Sequence, residues 1–442
     1  MKKSFLPPFL IAFAAILSCC FWSEPVNAAV KPVKGHGSPL NQATTSITNP
    51  RNQIVCISDI HLGIDTTYAE CKKNRQSLVK FLEHVRVNPG IKELVVAGDL
   101  LDEWYIPAEV ETFKSKSQRD FVQTIADSNK TVIAAFRAII KEGKVKVTYV
   151  PGNHDLLITA DDVKSILPGI TQARDVQGLG SYSPLGHSEI IIEHGHRYNF
   201  FCAPDPFSNQ AIAPGSILPP GYFFTRIAAQ SIKEQRPAPG GILPKITQGN
   251  PPLMYEYWQQ WYNLMNQFPI KEGLNDKIIK TNIDGYKANY SINDLVPFQL
   301  KSGLIDVKLF KGIATEEIWA KRELHNKVAV KIPVMEAITK ADSSDETDKQ
   351  AITQYFTYQG SDKRIVIFGH THEAKIIPGQ NLKKEKTIYA NSGTWIDKNK
   401  FPTRTFVVIT PGKSGVNRES VDLYQYSESG ERVLLAHDEL TN

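Results

Sequence analysis

The chain has 442 residues, 41% of them hydrophobic and 22% charged, enough for one large α/β domain with an insertion or for two ordinary domains. Its 51 basic and 46 acidic side chains leave a net charge of +5, which suits anionic ligands and is too small to argue for nucleic acid. Five cysteines, none at zinc-site spacing, exclude a disulfide scaffold and a cysteine-based zinc module.

The first segment, MKKSFLPPFLIAFAAILSCCFWSEPVNAAV, runs from Lys2 and Lys3 through an apolar stretch to small residues at Val26-Asn27-Ala28. That is the order of a secretory signal, so residues 1–28 are expected to be cleaved after Ala28 and the protein to be periplasmic or secreted. Pro7, Pro8 and the short apolar run argue against a full membrane span, and lipidation of Cys19 or Cys20 is the minor alternative. No other segment is long and apolar enough to cross a bilayer. Residues 29–50 are polar and unpatterned and read as a flexible leader. Cys56, Cys71 and Cys202 remain in the mature chain. Cys56 belongs to a core strand and is expected to be buried; whether Cys71 and Cys202 pair is left open.

From residue 51 strands and helices alternate. NQIVCIS, KELVVAG, KVKVTYV and HSEIIIEHG read as strands. YAECKKNRQSLVKFLEHVRV, with Leu78, Phe81, Leu82 and Val85 at helical spacing, and SQRDFVQTIADSNKTVIAAFRAIIKEG read as helices between them. This alternation implies parallel strands with crossover helices. Between about 197 and 360 the rhythm breaks into Pro-rich loops (FCAPDPF, ILPPGYFF, RPAPGGILP) and helical pieces. That stretch is expected to form a large inserted cap, within one domain spanning 51–442. Tyr257, Trp261, Leu264, Met265 and Phe268 share one helical face there, with Trp258 beside them, and read as cap core. Lys301, Lys308, Lys311, Lys321, Arg322, Lys327 and Lys331 read mostly as a solvated face. SSDETDKQAITQYF opens a helix, with Ser343 and Glu346 at capping-box spacing. Strands then return without long helices in RIVIFG, TIYANSG, RTFVVIT, VDLYQYS and RVLLAH, which predicts a second sheet packed on the first.

The polar residues gather where strands end. CISDIHLG carries Asp59 and His61, VVAGDLLDEW carries Asp99, and TYVPGNHD carries Asn153, His154 and Asp155. IIIEHGH carries His194, and IFGHTH carries His370 and His372. Ligands of open α/β sheets bind outside the carboxyl ends of the strands, so five loops bring carboxylates, imidazoles and one amide to a single rim. Side chains two apart in an extended segment share a face, which would point His370 and His372 the same way. Any one of these signals is weak, since a Gly-Asp after a strand is usually a turn. Five together are not.

In this order, Asp59-x-His61, Gly98-Asp99, Gly152-Asn153-His154-Asp155, His194 and Gly369-His370-x-His372 resemble the calcineurin-like metallophosphoesterases, over about 53–196 and 364–396. GDLLDEW, HGHRYN and NSGTW look closest to the branch containing UDP-2,3-diacylglucosamine pyrophosphatases. The resemblance implies an α/β layered fold of two mixed β-sheets packed face to face and flanked by helices. It also implies two divalent ions, and a mixed N/O donor set suits Mn, Fe, Zn or Co. By the family pattern Asp99 bridges them, one ion taking Asp59, His61 and His372 and the other Asn153, His194 and His370. A carboxylate has two oxygens to share between two ions, and neutral Asn153 adds an oxygen without charge. Water held between two cations is strongly acidified and would attack phosphorus in line. His154 would stabilise or protonate the leaving oxygen, with Asp155 orienting its imidazole or capping the next helix. Asp102 reads as a local turn residue, and His196 is left out of the ligand set.

The expected activity is hydrolysis of phosphate ester or pyrophosphate bonds in a small-molecule, lipid-linked or nucleotide substrate. Peripheral membrane contact through the cap is a further expectation. A phosphodiesterase or nuclease of the same fold would need a basic groove with stacking aromatics, which the sequence lacks. A non-catalytic scaffold would be expected to have lost ligands, and all are present.

Overall fold

The computed structural model describes residues 51–65, 67–235, 252–302, 305–341, 344–412 and 418–440. The signal, the leader, the RPAPGGILP loop and the cap residue Ser343 lie outside the described residues. Two large mixed sheets lie face to face between layers of helix, the α/β architecture expected from the sequence.

The amino-terminal half builds β1 (Gln53–Ile57), α1 (Arg75–Val87), β2 (Ile91–Ala97), α2 (Gln118–Ser128), α3 (Lys130–Glu142), β3 (Lys146–Val150), α4 (Ala160–Ile166) and the short β4 (Thr171–Gln172). β1 to β4 run parallel. Their apolar residues on one side meet the buried faces of α1 to α4 around Phe81, Leu94, Val96, Phe136 and Tyr149. A second sheet begins with β5 (Ser181–Tyr182) and β6 (Ile190–Glu193).

The chain then leaves the sheets. It forms α5 (Pro220–Lys233), α6 (Pro252–Gln267), two small hairpins from β7 (Ile279–Lys280) with β8 (Asn289–Tyr290) and β9 (Phe298–Gln299) with β10 (Ile305–Asp306), then α7 (Glu316–His325), α8 (Val334–Thr339) and α9 (Ser344–Ala351). It returns as β11 (Ile365–Phe368), which pairs in parallel with β6. The long excursion is therefore topologically a loop between neighbouring strands. Tyr257, Trp261, Leu264, Met265 and Phe268 are buried in its core, which continues onto the outer face of the second sheet through Ile191, Val366, Phe368 and Tyr389.

β12 (Lys375–Gln380) and β13 (Lys386–Asn391) complete the second sheet, in the order β12-β13-β11-β6-β5. β14 (Thr405–Thr410), β15 (Ser420–Tyr426) and β16 (Arg432–Glu439) add antiparallel to β1, giving the seven-stranded order β16-β15-β14-β1-β2-β3-β4. Between the sheets lies a layer of Ile54, Cys56, Val95, Val150, Ile192, Ile367, Ile388 and Val407. Strands covered on both faces need apolar side chains at successive positions, which is why IIIE and IVIF are continuous runs.

Cys56, Cys71 and Cys202 are all buried free thiols, and burial pushes each of them up. Among the described residues no helix is long and apolar enough to cross a membrane. Six of the lysines in the 301–331 stretch are exposed as expected, but Arg322 is buried and donates to the carbonyls of Phe200 and Ala203. Arg226 of α5 is also buried. It donates to the carbonyls of Ile106, Ala108, Val110 and Lys280 and so fastens the excursion to the loop after β2. Arg226→Met is expected to cost about 3 kcal/mol or more, because several buried carbonyls lose their donor together. Chemical denaturation of the two proteins checks this.

Candidate metal centre

All five loops open at the carboxyl ends of parallel strands: β1, β2 and β3 from one sheet, β6 and β11 from the other. The seven expected ligand side chains are 0–3% exposed, so their polar atoms face one another. The backbone there is unusual. Asp59, His61, Asp99, His370 and His372 all have φ between 52° and 69°, in the left-handed region that non-glycine residues seldom adopt. His370 and His372 are thus not in an extended segment, and the shared-face expectation fails. His370 turns toward Asn153, with Nδ1 2.9 Å from Asn153 Oδ1, while His372 turns toward Asp59, with Nε2 3.0 Å from Oδ1.

Two groups of donors result. His61 Nε2 is 3.2 Å from His372 Nε2, and both face Asp59 Oδ1. On the other side His194 Nε2 lies 3.1 Å from Asn153 Oδ1 and 3.0 Å from Asp99 Oδ2. Asp59, His61 and His372 are close enough together to hold one cation, and so are Asp59, Asp99 and His194. Asp99 Oδ2 joins the groups: it is buried, 3.6 Å from His61 Nε2, and has no hydrogen-bond partner among the described residues. A buried carboxylate oxygen left in that state is costly unless a cation meets it.

The electrostatics agree. Burial works against charge at both carboxylates, yet neighbouring imidazoles hold Asp59 and Asp99 well below the usual carboxylate range. Burial would likewise lower His194, but Asp99 and Asp59 outweigh it and lift the imidazole to about 9. His61 rises against burial through Asp102, Asp59 and Glu70. His370, buried and beside His194, falls to about 3. The carboxylates thus draw protons onto His61 and His194, while burial keeps His370 and His372 neutral donors. Buried anionic oxygens among neutral nitrogen and amide donors suit a cation, so the residues fit the divalent ions that the family resemblance implies.

Tautomers are set from behind. His194 Nδ1 donates to the Ala97 carbonyl at 2.8 Å, which leaves Nε2 for the site. Gly98, at φ 90°, makes this approach: a Cβ there would overlap the His194 ring. Asn391 donates to the Gly369 carbonyl, and Thr394 and the Trp395 amide donate to the Asp59 carbonyl, so the NSGTW motif braces two ligand loops.

Residues 53–215 match the family model of calcineurin-like phosphoesterases. No curated protein matches the chain. The match supports the metallophosphoesterase family, and the two sheets with flanking helices are consistent with that fold. Together with the His/Asp clusters it supports a metal-dependent hydrolase acting on phosphoester bonds. His370 and His372 lie outside the matched span, and the fold brings them to the same centre.

Around this centre two expectations change. The carboxylate at His154 Nδ1 is Asp102, at 2.9 Å, not Asp155. Asp102 also makes the expected turn, accepting from the Trp104 and Tyr105 amides. Asp155 neither orients His154 nor caps a helix. It accepts from the Gly152 and Leu100 amides and so ties the Asn153 loop to the Asp99 loop, while α4 is capped by Thr159 with Asp162. Burial, followed by Asp99, pushes Asp155 up to about 6. His154 packs against Trp104, ring centroids 5.0 Å apart. His196, left out of the ligand set, donates from Nε2 to the Gly178 carbonyl.

Proposed function

We propose that this protein is an exported phosphoesterase dependent on two divalent ions. It would cleave a phosphate ester or pyrophosphate bond in a phosphorylated small-molecule, lipid-linked or nucleotide substrate. The single observation that carries the reading is Asp99 Oδ2, buried without a hydrogen-bond partner among the described residues and within 3.6 Å of an imidazole on each side. Asp59, His61 and His372 would hold one ion, Asn153, His194 and His370 the other, and Asp99 both. Mn, Fe, Zn or Co would suit this donor set. When bound, such ions supply Lewis acidity toward phosphoryl oxygens and acidify water.

The chain's own residues do the rest. Asp102 accepts a hydrogen bond from His154 Nδ1–H, which keeps that tautomer and stabilises the imidazolium. His154 Nε2 then gives a proton to the leaving oxygen. Trp104, stacked on the ring, fixes its plane. The excursion between β6 and β11 would act as the cap that selects the substrate, in keeping with its core running directly onto the sheet behind His194.

The purified chain is expected to release p-nitrophenol from p-nitrophenyl phosphate with Mn²⁺ and to lose that activity completely in chelator. Turnover of the bis ester alone would move the assignment to a phosphodiesterase, and no turnover with any of the four metals would favour a scaffold.

A further inference from the structure

Behind His61 stands a side chain that no motif or periodic pattern marks. Glu70 lies in the irregular turn between β1 and α1, with its side chain 6% exposed. Its Oε2 is buried, has no hydrogen-bond partner among the described residues, and lies 3.4 Å from His61 Nδ1. The turn is held firmly: the Asp397 amide donates to the Glu70 carbonyl, and the Asp397 carboxylate accepts from the amides of Lys72, Lys73 and Asn74.

The other carboxylate at this nitrogen is Asp102. Its Oδ1 is engaged by His154 and by two backbone amides, leaving Oδ2 at 3.2 Å for His61. A single Nδ1 thus faces oxygens of two acidic side chains, and at Glu70 burial pushes the carboxyl well above its usual range while His61 works to keep it charged. The opposite half of the centre differs. There His194 Nδ1 meets only the neutral Ala97 carbonyl, and the neighbouring donors are the amide oxygen of Asn153 and the imidazole of His370. A carboxylate on the far nitrogen makes an imidazole a stronger donor through the near one, and a neutral carbonyl does so less.

We propose that Glu70 is a positioning residue that makes the Asp59/His61/His372 site the tighter of the two divalent-cation sites. This rests on the phosphoesterase reading, in which those residues hold an ion. Asp102 takes the His61 Nδ1 hydrogen bond, and Glu70, 3.4 Å from the same nitrogen, adds a second acidic group behind the ring that holds its orientation and strengthens Nε2 as a ligand.

Calorimetric titration of the metal-stripped chain with Mn²⁺ tests it, using wild type and Glu70→Gln, which keeps the shape and removes the carboxylate. Wild type is expected to take two ions in unequal steps. Glu70→Gln is expected to weaken the tighter step about 10–100-fold and to leave the weaker step within about threefold. The visible spectrum of the chain loaded with one equivalent of Co²⁺ is expected to shift, while the melting temperature of the metal-free chain stays put. Two ions bound with unchanged affinities in Glu70→Gln would overturn the role of Glu70 alone. So would a fall from three bound ions to two, because His61, Glu70, Asp102 and His154 are close enough to hold an ion of their own. A wild-type chain that binds no ion would overturn both the role and the phosphoesterase reading beneath it.

Discussion

Asp99→Ala is expected to abolish metal loading and turnover together. Asp99 Oδ2 is the carboxylate oxygen within 3.6 Å of imidazoles on both sides of the centre, His61 and His194. Its Oδ1 is occupied elsewhere, accepting the His154 amide at 2.8 Å. Removing the side chain takes away a carboxylate placed to neutralise two adjacent cations at once. Without it two divalent ions at close range repel each other inside a dry site, where charge is poorly screened. Metal content measured by atomic emission is expected to fall from two ions per chain to fewer than one. Turnover is expected to fall by about 10³-fold or more, beyond the loss of a single oxyanion donor. A melting curve taken alongside separates this from unfolding. Two ions retained per Asp99→Ala chain would mean that Asp59, whose Oδ1 lies 3.9 Å from both His61 and His194, is the shared ligand instead.

The strands of the core were legible in the sequence because burial on both faces demands unbroken apolar runs, and the loops after them stood out by contrast. Where tertiary contacts decide, the pattern misled. SQRDFVQTIADSNKTVIAAFRAIIKEG reads as one helix, but Asn129 breaks it into α2 and α3 by donating to the Gly63 carbonyl at 3.0 Å, a partner far away in sequence. YAECKKN reads as the first turns of α1, yet the helix starts at Arg75 because Asp397 captures the amides before it. β12 went unseen, since Pro378 and Gly379 argue against a strand; both are tolerated because β12 is the sheet edge, paired only with β13.

The centre was legible for a related reason. Its donors sit at strand ends, where the motifs stand out together and the family resemblance names them. Orientation was not legible: five positive φ values redirect side chains that an extended reading would align. The side chains that hold the donors from behind were hidden further still. Asp155 is next to His154 in sequence and points away from its ring, whereas Asp102, from another loop, reaches it. Glu70 belongs to no periodic element and carried no signal at all.

The exchange of Asp155 for Asp102 leads to the second large effect. His154→Ala is expected to lower kcat by about 10²–10⁴-fold, the range for a lost general acid, with both ions still bound. The size must depend on the leaving group. p-Nitrophenolate departs readily without a proton, so the loss should be near the lower end with p-nitrophenyl phosphate and near the upper end with an alkyl phosphate of poor leaving ability. Asp102→Asn is expected to follow the same leaving-group pattern more weakly, because His154 keeps its place under Trp104 but loses the carboxylate that stabilises its protonated form, and to weaken the ion held by His61 as well, since Asp102 Oδ2 backs that ring. Asp155→Asn is expected to show no leaving-group dependence. Its carboxylate holds the Gly152 and Leu100 amides, so its loss loosens the Asn153 and Asp99 loops and weakens metal retention for every substrate alike. Steady-state rates on the two esters, with metal content determined for each variant, separate these behaviours. Ions lost from His154→Ala, or a leaving-group effect in Asp155→Asn and not in Asp102→Asn, would reverse the assignment of the proton donor and its partner.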